Sequence, residues 1–232
     1  MSDTEFGEAG VQVQERIAAA LSRAGRTDTV TLLGVTKMVS AERILAAYRA
    51  GLRDFGENYA QEFRAKTSDS MLELPDLRWH FIGHLQTNKV KEVVGKAELI
   101  HSVESVKLAQ EIGKRAVTLG IVAPILLEIK LDSVEAKTGF SPQQAGDAAA
   151  EIGSIAGIAV RGLMGLAPYG TEPEQARPAF RTLYSVYSHL PAAQRQVLSM
   201  GMTGDYEIAI EEGSTLVRLG TGLFGKRAPR TI

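Results

Sequence analysis

Eight times along this 232-residue chain a short run of apolar and β-branched residues is followed by a stretch of helical spacing, with no second block of strands. The runs lie at 29–37, 54–58, 78–83, 99–103, 124–130, 158–165, 197–202 and 215–221. Strands covered by helices on both faces read as continuous apolar runs, and regular strand–helix alternation specifies a parallel sheet with the helices outside. Eight such units at this length predict an α/β fold, a single (β/α)8 barrel of TIM type, with residues 1–232 forming one domain. The run at 54–58, DFGEN, is the least strand-like and is placed by its position after a helix.

The intervening stretches carry helix signals. Apolar Val13, Ile17, Ala20, Leu21 and Ala24 predict an extra N-terminal helix over 11–24, stopped at Gly25. Ser40 reads as the N-cap of a helix ending near Gly51, and further helices are expected at 59–72, 87–94, 106–119, 174–190 and 206–212. Ser141 followed by Pro142 predicts an N-cap and first helical position for a helix running to Ile155.

Composition removes several function classes. With 26 basic and 27 acidic residues interspersed, the chain has no general attraction for nucleic acid or membrane, so any phosphate site is local. There are no cysteines, which excludes disulfides and thiolate metal sites and fits a reducing cytoplasm. The acidic, polar start MSDTEFGEAG is not a secretory signal, and no apolar run approaches membrane-spanning length. The expected location is the cytoplasm.

In a barrel of this kind chemistry gathers at the carboxyl ends of the strands, and the loops after strands seven and eight often hold phosphate. The first strand, TVTLLGVTK, ends in Lys37. A primary amine there is costly unless it reaches water or a partner, and it is a nucleophile able to condense with an aldehyde. Pyridoxal 5'-phosphate (PLP) is the aldehyde whose phosphate handle a barrel binds readily. Taken by itself, Lys37 reads better as a strand-end lysine whose stem lies on the core while its ammonium reaches solvent.

The last two strands end in SMGMTGD (199–205) and RLGTGLFG (218–225). The hydroxyls of Ser199 and Thr203, together with the backbone amides around Gly201, Gly204, Gly220, Thr221 and Gly222, suit an anion. The same glycines also suit tight turns with no ligand. Arg218, two residues before Gly220, shares its barrel face, where a guanidinium set against a pyridine nitrogen would keep the ring unprotonated and a poor electron sink. An ordinary salt bridge is the other reading of Arg218. His80 and His84 could share a strand face, yet no metal-ligand set closes around them; His84 reads as orienting a loop. Lys89, Lys91 and Lys96 suggest a solvated helix face, and Lys137 in VEAKTGF a turn or minor anion site.

VTK at 35–37, FGEN at 55–58, WHFIGHLQTNK at 79–89, RGLMG at 161–165, LSMGMTGD at 198–205 and VRLGTGLFGKR at 217–227 resemble the pyridoxal phosphate homeostasis proteins, single-domain relatives of the alanine racemase N-terminal barrel. The resemblance spans nearly the whole chain in order. It implies that Lys37 holds PLP as a Schiff base, that Ser199, Thr203, Gly220 and Thr221 cradle the phosphate, that Arg218 faces the pyridine nitrogen and that Asn58 lies beside the ring. Two positions depart from the family: Thr203 where Ser is common, and Lys130 where Asn is common. Lys130 adds a second strand-end amine, to perturb Lys37 or to pair with Glu128 or Asp132.

The expected function is PLP binding for vitamin B6 homeostasis, with no catalytic residue, no metal, PLP-dependent apoenzymes as recipients and a monomeric state. Racemases and decarboxylases on this barrel use a second domain to close the site, and the eleven residues after Thr221 are too few for one. Tyr59 and Tyr169 are the nearest candidates for an opposing base, and both read better as core or loop residues. The alternatives are a small PLP-dependent racemase using Lys37 as base and a cofactor-free isomerase of phosphorylated sugars.

Overall fold

A helix, α1 (Asp3–Arg23), leads into eight parallel strands that close on themselves in the computed structural model, which describes residues 3–131, 138–168 and 172–225. The strands are β1 (Thr31–Val35), β2 (Asp54–Glu57), β3 (Arg78–Phe81), β4 (Leu99–Val103), β5 (Ala123–Ile129), β6 (Ile158–Gly165), β7 (Val197–Met202) and β8 (Leu216–Leu219). Each pairs with the next, and β8 returns to β1 with Leu33 opposite Arg218 and Gly34 opposite Leu219. Irregularities in the ladder fall between β4 and β5, β5 and β6, and β7 and β8.

Between strands run α2 (Ala41–Arg49), α3 (Ala60–Lys66), α4 (Val90–Val93), α5 (Val106–Leu119), α6 (Ala145–Gly153), α7 (Arg177–Ser188) and α8 (Tyr206–Glu211), and α9 (Thr221–Phe224) follows β8. The large core lies between the sheet and this outer ring, where Phe55, Phe63, Phe81, Phe180, Ile44 and Ile112 are fully buried. A small apolar cluster of Leu99, Leu126 and Met164 sits apart from it. The short DFGE strand forms as expected, buried at every residue and paired on both sides.

Local signals set most boundaries. Ser105 caps α5 by accepting from Leu108 N at 3.2 Å, and Gly120 ends it in the left-handed conformation. Where boundaries depart from the sequence expectation, tertiary contact or turn geometry is the reason. Helix α1 starts eight residues earlier than its apolar periodicity implies, because Phe6 is buried against Phe224 with ring centroids 5.3 Å apart. Ser141 caps a turn instead of a helix: its Oγ accepts from Gln144 N at 3.3 Å while Gln144 Oε1 accepts from Ser141 N at 3.0 Å, and α6 begins only at Ala145. The stretch 59–72 divides into α3 and a 3-10 turn at Ser70–Leu72, and 215–221 yields a strand that stops before Gly220. Among the described residues no helix is long and apolar enough to cross a membrane.

Candidate functional site

The segment that carries Lys37 is pinned on both sides. Thr36, immediately after β1 and fully buried, donates from Oγ1 to Glu57 Oε1 at 2.6 Å. Lys66 on α3 donates to the same Glu57 oxygen at 2.5 Å and to the Thr36 carbonyl at 2.7 Å. On the far side, Met38 takes a left-handed backbone, φ 59°, and its N–H donates to Glu62 Oε2 at 2.9 Å. A bulky residue in that region is strained, so the contacts that hold it fix the direction of the Lys37 side chain. Burial pushes the Glu57 carboxyl up from its ordinary value, and the Lys66 ammonium opposes the rise.

Lys37 itself makes no ion pair among the described residues; its Nζ stands 4.6 Å from the centroid of the Tyr59 ring. It lines a cavity of about 790 Å³ with Met38, Asn58, Tyr59, Glu62 and His84, formed by the loops after β1, β2 and β3. The Asn58 Oδ1 is buried and has no hydrogen-bond partner among the described residues. A buried acceptor left unpaired costs about 1–3 kcal/mol, a cost that a ligand hydroxyl would remove. Gly83 closes the wall behind it: a Cβ there would lie 2.0 Å from the Asn58 carbonyl oxygen.

The turns after β7 and β8 meet. Gly222 N donates to Thr203 Oγ1 at 3.3 Å, which brings the Thr203 hydroxyl beside the Gly220–Thr221 backbone. Asp205 shapes the first turn by accepting from Met202 N at 2.6 Å. Gly201, at φ 94°, needs to be glycine for packing, since a Cβ would meet Ala209 Cβ at 2.6 Å. Gly204 has open space where a Cβ would be, so steric demand from the protein does not account for it. Gly220 lies next to Val35 at the end of β1, so this cup and the Lys37 segment occupy adjacent strand ends.

Arg218 is not a surface salt bridge. It is buried and donates through Nη1 to the Ser199 carbonyl at 2.8 Å and to Ser199 Oγ, and through Nη2 to the Gly165 carbonyl at 3.0 Å. Burial lowers its value to about 10, against the pull of Asp205 and Glu128. A guanidinium has five N–H donors, so those not spent on these three bonds remain for a ligand. Ser199 departs from the cup expected of it. Its hydroxyl is fully buried inside the barrel and is taken by Arg218 and by His101 Nδ1 at 3.0 Å.

His84 Nδ1 lies 3.0 Å from Glu104 Oε2, linking the loops after β3 and β4 as a loop-orienting residue would. Lys130 forms no ion pair with Glu128 among the described residues, while burial and then the Glu104 carboxylate push Glu128 up to about 7. Asp132, Lys137 and Tyr169 lie outside the described residues. No group of three or more potential metal ligands exists among the described residues. Sequence reasoning missed the Thr36–Glu57–Lys66 clasp and the partners of His80 and His101. The available signal was polar side chains within buried strands, which require partners.

The free amine, the orphaned amide oxygen and the open backbone turns fit a phosphorylated aldehyde on chemistry alone. Comparison with known proteins is consistent with this. A family model described as alanine racemase, N-terminal domain, matches residues 3–228. A protein from Aquifex aeolicus named pyridoxal phosphate homeostasis protein is 44% identical over 220 residues, covering 93% of this chain and 96% of its own. One of the same name from Pasteurella multocida is 35% identical over 93% and 95%. Among solved structures, PipY of Synechococcus elongatus with PLP bound superposes with a TM-score of 0.77 at 34% identity, covering 90% of this chain and all of that one. The alanine racemase of Bartonella henselae has a TM-score of 0.75 at 12% identity, over 99% of this chain and 62% of its own, and shows the fold alone.

Proposed function

Because the chain belongs to the pyridoxal phosphate homeostasis proteins of the alanine racemase N-terminal domain family, we propose that it binds PLP reversibly through Lys37 and serves vitamin B6 homeostasis. PLP supplies an aldehyde that condenses with a primary amine, together with a phosphate and a pyridine ring. The observation that carries the reading is Lys37, an amine without an ion-pair partner among the described residues, on a segment held from both sides next to the β8 turn.

In this reading Lys37 Nζ supplies the amine. Thr203, Gly220 and Thr221 offer a hydroxyl and backbone N–H groups to the phosphate, whose charge suits turns with unshielded amides. Asn58 Oδ1 accepts from a ring hydroxyl, and Arg218 donates to the ring nitrogen without giving up its own proton. Ser199 acts one step back, by holding Arg218.

The protein is a holder of PLP, not a catalyst, as the names of its relatives indicate. A guanidinium at the ring nitrogen leaves the ring unprotonated and a weak electron sink. Release to PLP-dependent apoenzymes in the cytoplasm by a monomer completes the proposal. Borohydride reduction of the PLP-treated protein followed by peptide mass mapping tests it. A pyridoxyl mass on Lys37 is expected; modification confined to Lys130 or another lysine, or none, refutes the assignment.

A further inference from the structure

A layer of polar side chains crosses the inside of the barrel, where branched apolar residues ordinarily fill the space. Asp54, His80, His101, Ser199 and Arg218, from β2, β3, β4, β7 and β8, are all buried. Their contacts form one string. His80 Nε2 lies 3.0 Å from Asp54 Oδ1, His80 Nδ1 lies 3.0 Å from His101 Nε2, His101 Nδ1 lies 3.0 Å from Ser199 Oγ, and Arg218 Nη1 donates to that Oγ. The His101–Ser199 bond joins strands that are not neighbours, so it spans the barrel interior.

Proton positions along this string follow from its two ends. Asp54 is an acceptor only: burial raises its carboxyl, yet the bonds from Arg78 at 2.7 and 2.6 Å and from His80 outweigh that and hold it at about 2. A neutral His80 then carries its proton on Nε2 and offers Nδ1 as an acceptor. His101 must then donate from Nε2, which leaves its Nδ1 to accept. Ser199 gives its hydroxyl proton to that Nδ1 and turns its lone pairs toward Arg218, which only donates. Every bond is satisfied with both imidazoles neutral, and no other arrangement of neutral rings satisfies all four.

We propose that His80 and His101 are positioning residues: with Ser199 they form a one-directional hydrogen-bond relay, anchored on Asp54, that orients the Arg218 guanidinium below the barrel mouth. Its role toward the ring nitrogen rests on the PLP reading; the relay itself does not. Burial holds His101 well below the ordinary histidine value, which agrees with a neutral ring. Were the string to reverse, His101 and Arg218 would both donate to the Ser199 oxygen, and its buried hydroxyl proton would lose the acceptor that His101 Nδ1 provides.

The test starts on the protein without PLP. Nitrogen NMR of labelled histidines at neutral pH is expected to find both His80 and His101 neutral with the proton on Nε2. An Nδ1 proton or a charged ring at either overturns the relay, whether or not PLP binds. With the relay established, His101→Phe is expected to weaken PLP binding about tenfold, the loss of one buried hydrogen-bond link, and to shift the visible band of the bound cofactor. His80→Phe, which touches neither Ser199 nor Arg218, is expected to shift the band the same way. Unchanged affinity and band in a folded His101→Phe protein overturn the positioning role. Wild-type protein that binds no PLP refutes the functional reading and leaves the tautomer result standing.

Discussion

Thr36 Oγ1 donates to Glu57 Oε1 at 2.6 Å, clasping the residue before Lys37 to the end of the neighbouring strand. The glutamate of the FGEN run thus acts as the anchor of the segment that carries the amine, with Lys66 as its counter-charge at 2.5 Å. The clasp gives that segment its stiffness.

Removing Glu57 leaves the largely buried Lys66 ammonium, among the described residues, a single and longer carboxylate contact with Glu62 at 3.4 Å, and breaking a buried pair by deleting one partner costs about 3 kcal/mol. Thr36→Val removes one hydrogen bond while Lys66 stays paired, a loss of about 1 kcal/mol. Urea unfolding of Glu57→Ala and Thr36→Val measures both. Equal losses would mean that the ion pair adds nothing.

Lys37 lies beyond the end of β1, outside the packed layers. Lys37→Ala is therefore expected to abolish covalent PLP binding and its visible absorbance while changing stability by no more than about 0.5 kcal/mol. Absorbance and thermal melting on one sample decide it. A collapsed variant would contradict the placement of Lys37 at the mouth.

Glu128 has a folded-state value of about 7, against 4.5 as its reference, from burial and the Glu104 carboxylate. An acid raised on folding binds protons more tightly in the native state, so its contribution is fully present below about 4.5 and is lost as pH rises through about 7. That loss amounts to up to about 3 kcal/mol. Glu128→Gln should accordingly be more stable than wild type at alkaline pH and gain little at acidic pH. Parallel pH–stability curves for the two proteins would remove Glu128 from the linkage.

A Cβ on Gly83 would sit 2.0 Å from the Asn58 carbonyl oxygen, too close for any side chain to resolve. Gly83→Ala must push the loops after β2 and β3 apart, at about 1–3 kcal/mol by the usual cost of overpacking. Because Asn58 lines the cavity with Lys37, PLP affinity should fall as well. Stability loss with wild-type affinity would place Asn58 outside the ligand's reach.

Strand–helix alternation was legible along the chain, down to DFGE, whose four residues are all buried although only Phe55 is strongly apolar. The strand-end position of Lys37 and the turn positions of Thr203, Gly220 and Thr221 were also legible, since strand ends and turn composition are local properties. The partners of Ser199 were not legible, for the converse reason. Its place in SMGMTGD resembles the rim, yet it sits within β7, and its hydroxyl belongs to Arg218 and His101.

The order of the residues by itself determined a closed parallel barrel with an amine at one strand end and glycine turns at the last two, because hydrophobic periodicity and turn chemistry act over a few neighbouring positions. Barrel closure decided which polar groups meet. His101 and Ser199 stand 98 residues apart on non-adjacent strands, and only the curvature of the sheet brings them within 3.0 Å. Closure likewise lengthened α1, whose Phe6 packs on Phe224 from the opposite end of the chain.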